Sequence, residues 1–315
     1  TPLMAFRFLS GVAGSLSSIA VLPFLARHST ESERNKLFSA QFSLSMIASF
    51  GGSLLGGQIT RLAVNYLAGG VESAAAYRVT LFASVALMAL MFIPLTRIKD
   101  EPAPSAEEAK TDFSKINFAT LGWVLAPQVI IGLGAGMVIP YLNLFFKTSF
   151  PLSIGSLGAV MALMPLSMAV GGFIGPFFVK KMGHIQAMIL FQALSIPFLA
   201  TVGFSGMLWA TVLAAFLRTM LMNASWPLYS VFMLSRFDKK VHPMVSAMYA
   251  TAWNLLWSLG ARLSGTMQME FGWTVPFLGT IVCYATATLI LSRRFLREET
   301  KKKLAAAVPN PLNEA

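Results

Sequence analysis

Three arginines carry the sharpest chemical signal in this sequence. Arg7, Arg218 and Arg262 each interrupt a stretch of apolar residues long enough to cross a bilayer. A guanidinium at the centre of a membrane costs about 2.5–3.5 kcal/mol on insertion scales, so one found there is expected to face a polar cavity, a bonding partner or the interface. Arg262 lies near the outer end of its stretch, where a long side chain snorkels to water or makes a structural bond, whereas Arg7 either snorkels in the same way or faces the cavity. Arg218 has apolar-rich sequence on both sides and is expected to look onto a wet cleft. At helical spacing it shares a stripe with Met222, Ser225 and Tyr229, which would line a path for a solute. The competing reading is a structural arginine bonded to a neighbouring helix.

Uncharged polar and aromatic side chains form the second group. The run from Pro127 to Phe146 carries Gln128, Gly132, Gly134, Gly136, Pro140, Tyr141 and Asn143. Its glycines and internal proline weaken the backbone ladder and predict a helix that bends and exposes carbonyls. Gln128 and Asn143 are predicted to lie about 60° apart around its axis. Asn223, Trp226 and Tyr229 in one later stretch, and Tyr249, Trp253, Asn254 and Trp257 in the next, could wall a site for an apolar or cationic ligand. The same residues also suit packing, polar bonds between helices, or the interfacial belt.

No Asp or Glu falls inside an apolar stretch, and His28, His184 and His242 are all placed in loops. Intramembrane proton relays usually need one of these residue types, so a coupling proton, if used, is expected to bind upstream of this sequence. Nor is there a nucleophile, base and acid arrangement for catalysis. Cys283 is the single cysteine and sits in an apolar run, which leaves no disulfide framework and no metal cluster. No cofactor is expected.

The elements that must position these residues follow from composition. Of 315 residues, 56% are hydrophobic and 12% charged, about half the charge of an ordinary soluble domain. A soluble enzyme is excluded. The runs lack the alternating pattern of a membrane barrel, so the fold class is an all-α membrane protein. Nine transmembrane helices are predicted at about 3–26, 37–59, 76–97, 118–146, 154–179, 185–205, 208–234, 243–267 and 274–292, each long enough for about 30 Å of hydrocarbon.

The net charge of +11 would point to nucleic acid in a soluble chain. Here the basic residues cluster in alternate loops and the tail, and no nucleic-acid partner is expected. Arg27, Arg34, Lys36, Arg97, Lys99, Lys180, Lys181, Arg236, Lys239, Lys240, Arg293, Arg294 and Arg297 share one side, whereas Arg61, Arg78 and Lys147 share the other. The positive-inside bias makes the first side and the C-terminus cytoplasmic. An odd number of spans then begins outside, which predicts further helices upstream of Thr1.

A weak internal repeat agrees. Gly52–Gly57 (GSLLGG) aligns at a shift of 208 with Gly260–Gly265 (GARLSG), so the first three spans mirror the last three and spans four to six lack an upstream counterpart. Ser10, Gly14 and Ser18 form a small-residue ladder and Gly52/Gly56 a GxxxG pair, both suited to close helix approach in lipid. Four segments result: 1–98, the last three helices of an N-terminal bundle; 99–117, a cytoplasmic linker; 118–292, a six-helix C-terminal bundle; and 293–315, a basic cytoplasmic tail.

These features resemble the major facilitator superfamily, whose fold is two six-helix bundles. Arg7-Phe8-Leu9-Ser10-Gly11 with Gly14 is similar to the Arg-x-x-x-Gly motif of family helix 4, followed by a cytoplasmic turn, here Ser29–Arg34. Gly52–Gly57 resembles the helix 5 glycine motif of drug efflux members, with Ser53 at the usual proline position. Pro176–His184 resembles the loop between helices 8 and 9. The resemblance makes the nine spans family helices 4 to 12, with the first three absent from this fragment, and implies that spans one, four and seven surround a central cavity.

The implied function is secondary transport of a small solute by alternating access, in the plasma (inner) membrane. Export of an amphipathic or drug-like compound is expected, because methionine and aromatic surfaces accommodate varied apolar ligands. The alternatives are uptake of an anionic metabolite held by Arg218 and a non-transporting scaffold or gene remnant. Candidate cavity residues are Arg7, Gln128, Tyr141, Asn143, Arg218, Met222, Asn223, Trp226, Tyr229, Trp253 and Asn254. Candidate helix-packing residues are Gly11, Gly14, Gly52, Gly56, Gly57, Gly260 and Gly265. Spans three, six and nine are expected to face lipid.

Overall fold

The computed structural model describes residues 5, 6, 9–11, 13, 14, 31–67, 69–71, 73–97, 116–238 and 241–296; at 31–40, 42, 43, 176 and 180 it describes backbone only. Among these residues the chain is helical and has no strand. Arg7 and most of the first expected span lie outside them, as does nearly all of the linker. Gly11 and Gly14 are helical.

The helices are α1 (Glu31–Leu67), α2 (Ala74–Leu90, then a further turn Phe92–Leu95), α3 (Phe118–Val138), α4 (Leu142–Ser149), α5 (Ile154–Met182), α6 (His184–Phe204), α7 (Leu208–Leu234), α8 (His242–Phe271) and α9 (Thr274–Leu291). Six segments are long and apolar enough to cross a membrane: α2 with its extra turn, α3 with α4, α5, α6, α7 and α9. The remaining two, α1 and α8, are long but less apolar.

Several boundaries differ from expectation, each for a local reason. The expected span 37–59 begins at Glu31 instead, because Glu31-Ser-Glu-Arg-Asn-Lys contains no Gly or Pro to stop a helix. At 37 residues α1 is about 55 Å long and takes in residues expected to form a turn. The helix beginning at Ile154 continues to Met182 and stops at Gly183, whose φ of +92° only glycine adopts cheaply. Lys180 and Lys181 therefore sit in a last helical turn rather than a loop. His184 and His242, also expected in loops, open α6 and α8.

The bend expected around Pro140 is present. The α-helix ends at Val138, Ile139–Tyr141 form a 3₁₀ turn, and α4 resumes at Leu142. Pro140 offers no amide to the ladder, which breaks there.

Helices α3 to α9 pack into one bundle centred on α3, which lies between α8 and α9; α7 joins α5 to α6, and α6 also meets α9. Close approach depends on glycine. A Cβ on Gly136 would land on the Trp257 carbonyl, and one on Gly260 would land on the Leu133 carbonyl. The α3 and α8 backbones therefore touch through each other's glycines, as expected where lipid gives no hydrophobic drive to association. A hydroxyl bond from Thr280 to the Gly134 carbonyl at 2.8 Å ties α9 to the same stretch.

The α1/α2 pair is attached through α5. α1 crosses α5 at Gly57 and Gly158, where a Cβ on either would come within 2.9 Å of the other's Cα. The hydroxyls of Thr60 and Thr80, 2.6 Å apart, join α1 to α2. Along α2 nearly every large side chain is exposed, Leu81, Phe82, Val85 and Met88 among them, whereas α9, also expected to face lipid, buries Phe277, Thr280, Tyr284 and Leu291 in the bundle, where it packs on α3 and α6. The polar residues of α6, Gln192 and Ser195, are buried and turn inward to α7.

Candidate functional site

A cavity of about 480 Å³ lies at the seam where α1 and α2 meet α4 and α5. Its α1 wall is made of small residues, Gly52, Ser53, Gly56 and Gly57, ending at Thr60. Tyr77 and Thr80 of α2 face it, and Asn143, Lys147, Leu157 and Met161 close the far side. The bend at Pro140 builds that far wall, since it starts α4 as a separate helix carrying Asn143 and Lys147. Lys147 Nζ also donates to the Leu152 carbonyl at 3.4 Å. Hydroxyls, an amide and one ammonium on an otherwise apolar lining suit an amphipathic ligand.

Three of the expected packing glycines, Gly52, Gly56 and Gly57, line this space. A Cβ on Gly52 or Gly56 would meet nothing within 4 Å, whereas one on Gly57 would collide with α5. The close crossing is thus one residue away from the expected GxxxG pair, because the face that meets α5 is set by Gly158, which the sequence reading did not single out. Gly260 makes the close contact expected of it. Gly265 does not, having only the Tyr141 hydroxyl at 3.7 Å, and neither Gly11 nor Gly14 would bring a Cβ within 4 Å of a described atom.

The arginine stripe differs from expectation. Arg218 is 6% exposed and donates to the Tyr284 hydroxyl, with its guanidinium 5.3 Å from that ring's centre. Ser225 is bonded by Gln192 at 3.4 Å, Met222 sulfur accepts from Ser195 at 3.2 Å, and Tyr229 donates to the Val124 carbonyl. The stripe faces α3, α6 and α9 rather than an open path. Bundle packing decides this: a buried guanidinium with no acid in the described spans finds its bonding partner in a phenol on α9, a residue the spacing along one helix could not reveal. Arg218 Nε and Gln192 Oε1 are buried without a hydrogen-bond partner.

The other candidates separate into two sets. Gln128 is buried, and Tyr141, in the turn after α3, donates to the Ala261 carbonyl of α8 at 2.9 Å. Gln128 is not among the residues lining the cavity that Asn143 reaches. Asn223 is bonded within its own helix to the Thr219 carbonyl, and Asn254 likewise to Ala250. Trp226 and Asn254 are exposed, while Trp253 is half-buried over Gly132, its ring 3.2 Å from where a Cβ would stand.

At the end of the bundle carrying the basic loops, Lys181 lies over Phe177, Arg236 over Phe232 and Phe295, and Arg294 over Trp123, at 4.7 to 5.6 Å. Such cation–π pairs hold a basic collar against an aromatic rim.

Comparison with known proteins decides the family. A family profile described as Major Facilitator Superfamily matches residues 1–261 and, in an overlapping stretch, 124–314. The chain belongs to the major facilitator superfamily. Among solved structures, the chain resembles a bacterial homolog to the human lysosomal transporter Spinster, in an inward-facing and unoccupied conformation. That likeness has a TM-score of 0.55 at 12% identity and covers 85% of this chain and 72% of the other. It speaks for the superfamily fold alone. No curated protein matches the chain. As a superfamily member it is a multi-pass membrane transporter and not an enzyme.

Proposed function

We propose that the chain moves a small amphipathic solute by alternating access, in the direction of export, with the α1/α5 crossing as part of the moving seam. The observation that carries this reading is the 480 Å³ cavity between α1, α2, α4 and α5, lined by Thr60, Tyr77, Thr80 and Asn143 among apolar side chains. It adjoins a crossing built from two glycines, where helices can slide or part without dragging side chains through one another. A solute bound there would contact both sides of the seam, which couples its binding to their relative position.

The side bearing Lys181, Arg236 and Arg294 is taken as cytoplasmic, in the inner membrane, on the strength of the basic bias and the cation–π collar. No acid lies within the described spans, so a coupling proton would bind elsewhere. Uptake of an anion held by Arg218 is less favoured, because that guanidinium is turned to Tyr284 inside the bundle.

The test is release of rhodamine 6G from preloaded proteoliposomes containing the purified chain. Release faster than from protein-free vesicles, reduced several-fold by Asn143→Leu at unchanged helical circular dichroism, is the expected result. Release no faster than from protein-free vesicles, by a protein with native helix content, would end the reading.

A further inference from the structure

The two ends of the seam cavity differ in chemistry. α1 and α5 run antiparallel along it: a Cβ on Gly155 would come within 2.9 Å of Arg61 Cδ, and one on Gly158 within 3.0 Å of the Ser53 carbonyl. Thr60 therefore stands level with the start of α5, while Gly52, about 12 Å further back along α1, stands nearer Met161. Lys147 belongs to the first of these ends, because its ammonium donates to the carbonyl of Leu152, two residues before α5 begins.

That end is polar and positive. The Thr60 and Thr80 hydroxyls lie 2.6 Å apart, and Tyr77 lines it one turn before Thr80 on α2. Ile154, the first residue of the 29-residue α5, lines it as well, so the positive pole of the helix dipole adds to the ammonium. The other end is apolar, with Leu157 and Met161 facing the bare backbone of Gly52 and Gly56. A Cβ on either glycine would meet nothing within 4 Å, which leaves room there for the apolar body of a solute. No Asp or Glu is among the described lining residues.

We propose that the seam cavity selects anionic amphiphiles, with the solute's carboxylate at Lys147 and the start of α5 and its apolar body along Gly52 and Gly56 toward Met161. A cationic pole flanked by hydroxyls matches an anionic head, since charge-assisted bonds to a carboxylate are about twice as strong as neutral ones and gain further where water is partly excluded. The inference deepens the transport reading and rests on it for the solute's passage, but not for its binding.

The test uses the purified full chain in phosphatidylcholine nanodiscs and two dyes of one skeleton: rhodamine 19, which bears a free carboxylate, and rhodamine 6G, its ethyl ester. Fluorescence polarisation, with the signal of empty nanodiscs subtracted, is expected to show at least five-fold tighter binding of the acid. Lys147→Gln should bring the two dyes within two-fold of each other, and Lys147→Arg, which keeps the charge, should retain the preference. Equal binding of acid and ester by wild type, or a preference that survives in Lys147→Gln, would overturn the anionic head site. If replacing one-third of the lipid by phosphatidylglycerol makes wild type bind the acid no tighter than Lys147→Gln does, the cation belongs to lipid headgroups and the solute site is overturned. A carboxylate preference without release of either dye from proteoliposomes would leave the head site standing and remove the transport reading. Release of rhodamine 6G with no preference between the dyes would do the reverse.

Discussion

Arg218 and Tyr284 form the most consequential side-chain pair in the bundle. A hydrogen bond to a charged group contributes about 1.5–3 kcal/mol, and a buried group stripped of its partner adds its own desolvation cost. Arg218→Ala should therefore lower stability by about 2–4 kcal/mol, and Tyr284→Phe by less, because the ring face remains under the guanidinium. Thermal unfolding followed by a thiol-reactive dye at Cys283, the single cysteine, would measure both. Equal stability of Arg218→Ala and wild type, together with lost transport, would instead make Arg218 a ligand group. That the residue is special is plain from its sequence position. That it faces α9 is not, since its partner is 66 residues away and periodicity along one helix says nothing about which neighbour it meets.

At the scale of elements, glycines act according to what stands opposite them. Gly136→Ala and Gly260→Ala each place a methyl on a carbonyl of the partner helix, so α3 and α8 must separate, and a loss of about 1–3 kcal/mol is expected from overpacking. Gly122→Ala meets nothing within 4 Å and should be neutral or gain up to about 1 kcal/mol through helix propensity. The same dye assay ranks the three, and a Gly260→Ala protein as stable as Gly122→Ala would contradict the crossing. Pro140 and the glycines before it announced a bend in the sequence. The choice between Gly56 and Gly57 as the contact residue was hidden, because adjacent positions differ by only about 100° around a helix and α5 supplies the deciding Gly158.

The whole molecule adds orientation and the seam. A membrane-impermeant maleimide should label Asp238→Cys, an exposed site between α7 and α8, in inside-out vesicles and not in right-side-out ones, in a Cys283→Ser background; the opposite pattern would invert the topology. Gly158→Leu should force α1 from α5 and abolish rhodamine 6G release, while the α3–α9 bundle keeps its unfolding temperature to within a few degrees. Undiminished release would remove the crossing from the mechanism.

Composition alone determined that this chain lives in a bilayer and is helical, because length and polarity are properties summed along the chain. The order of apolar runs and the sidedness of basic residues were legible for the same reason, as each is set by the solvent a segment meets. Only the tertiary structure decided which face of each helix is covered. It turned Arg218, Ser225 and Tyr229 inward, left Trp226 and Asn254 outward, and opened a cavity around Thr60, Thr80 and Asn143. Those choices depend on the angles at which helices cross, which side chains from different helices fix together.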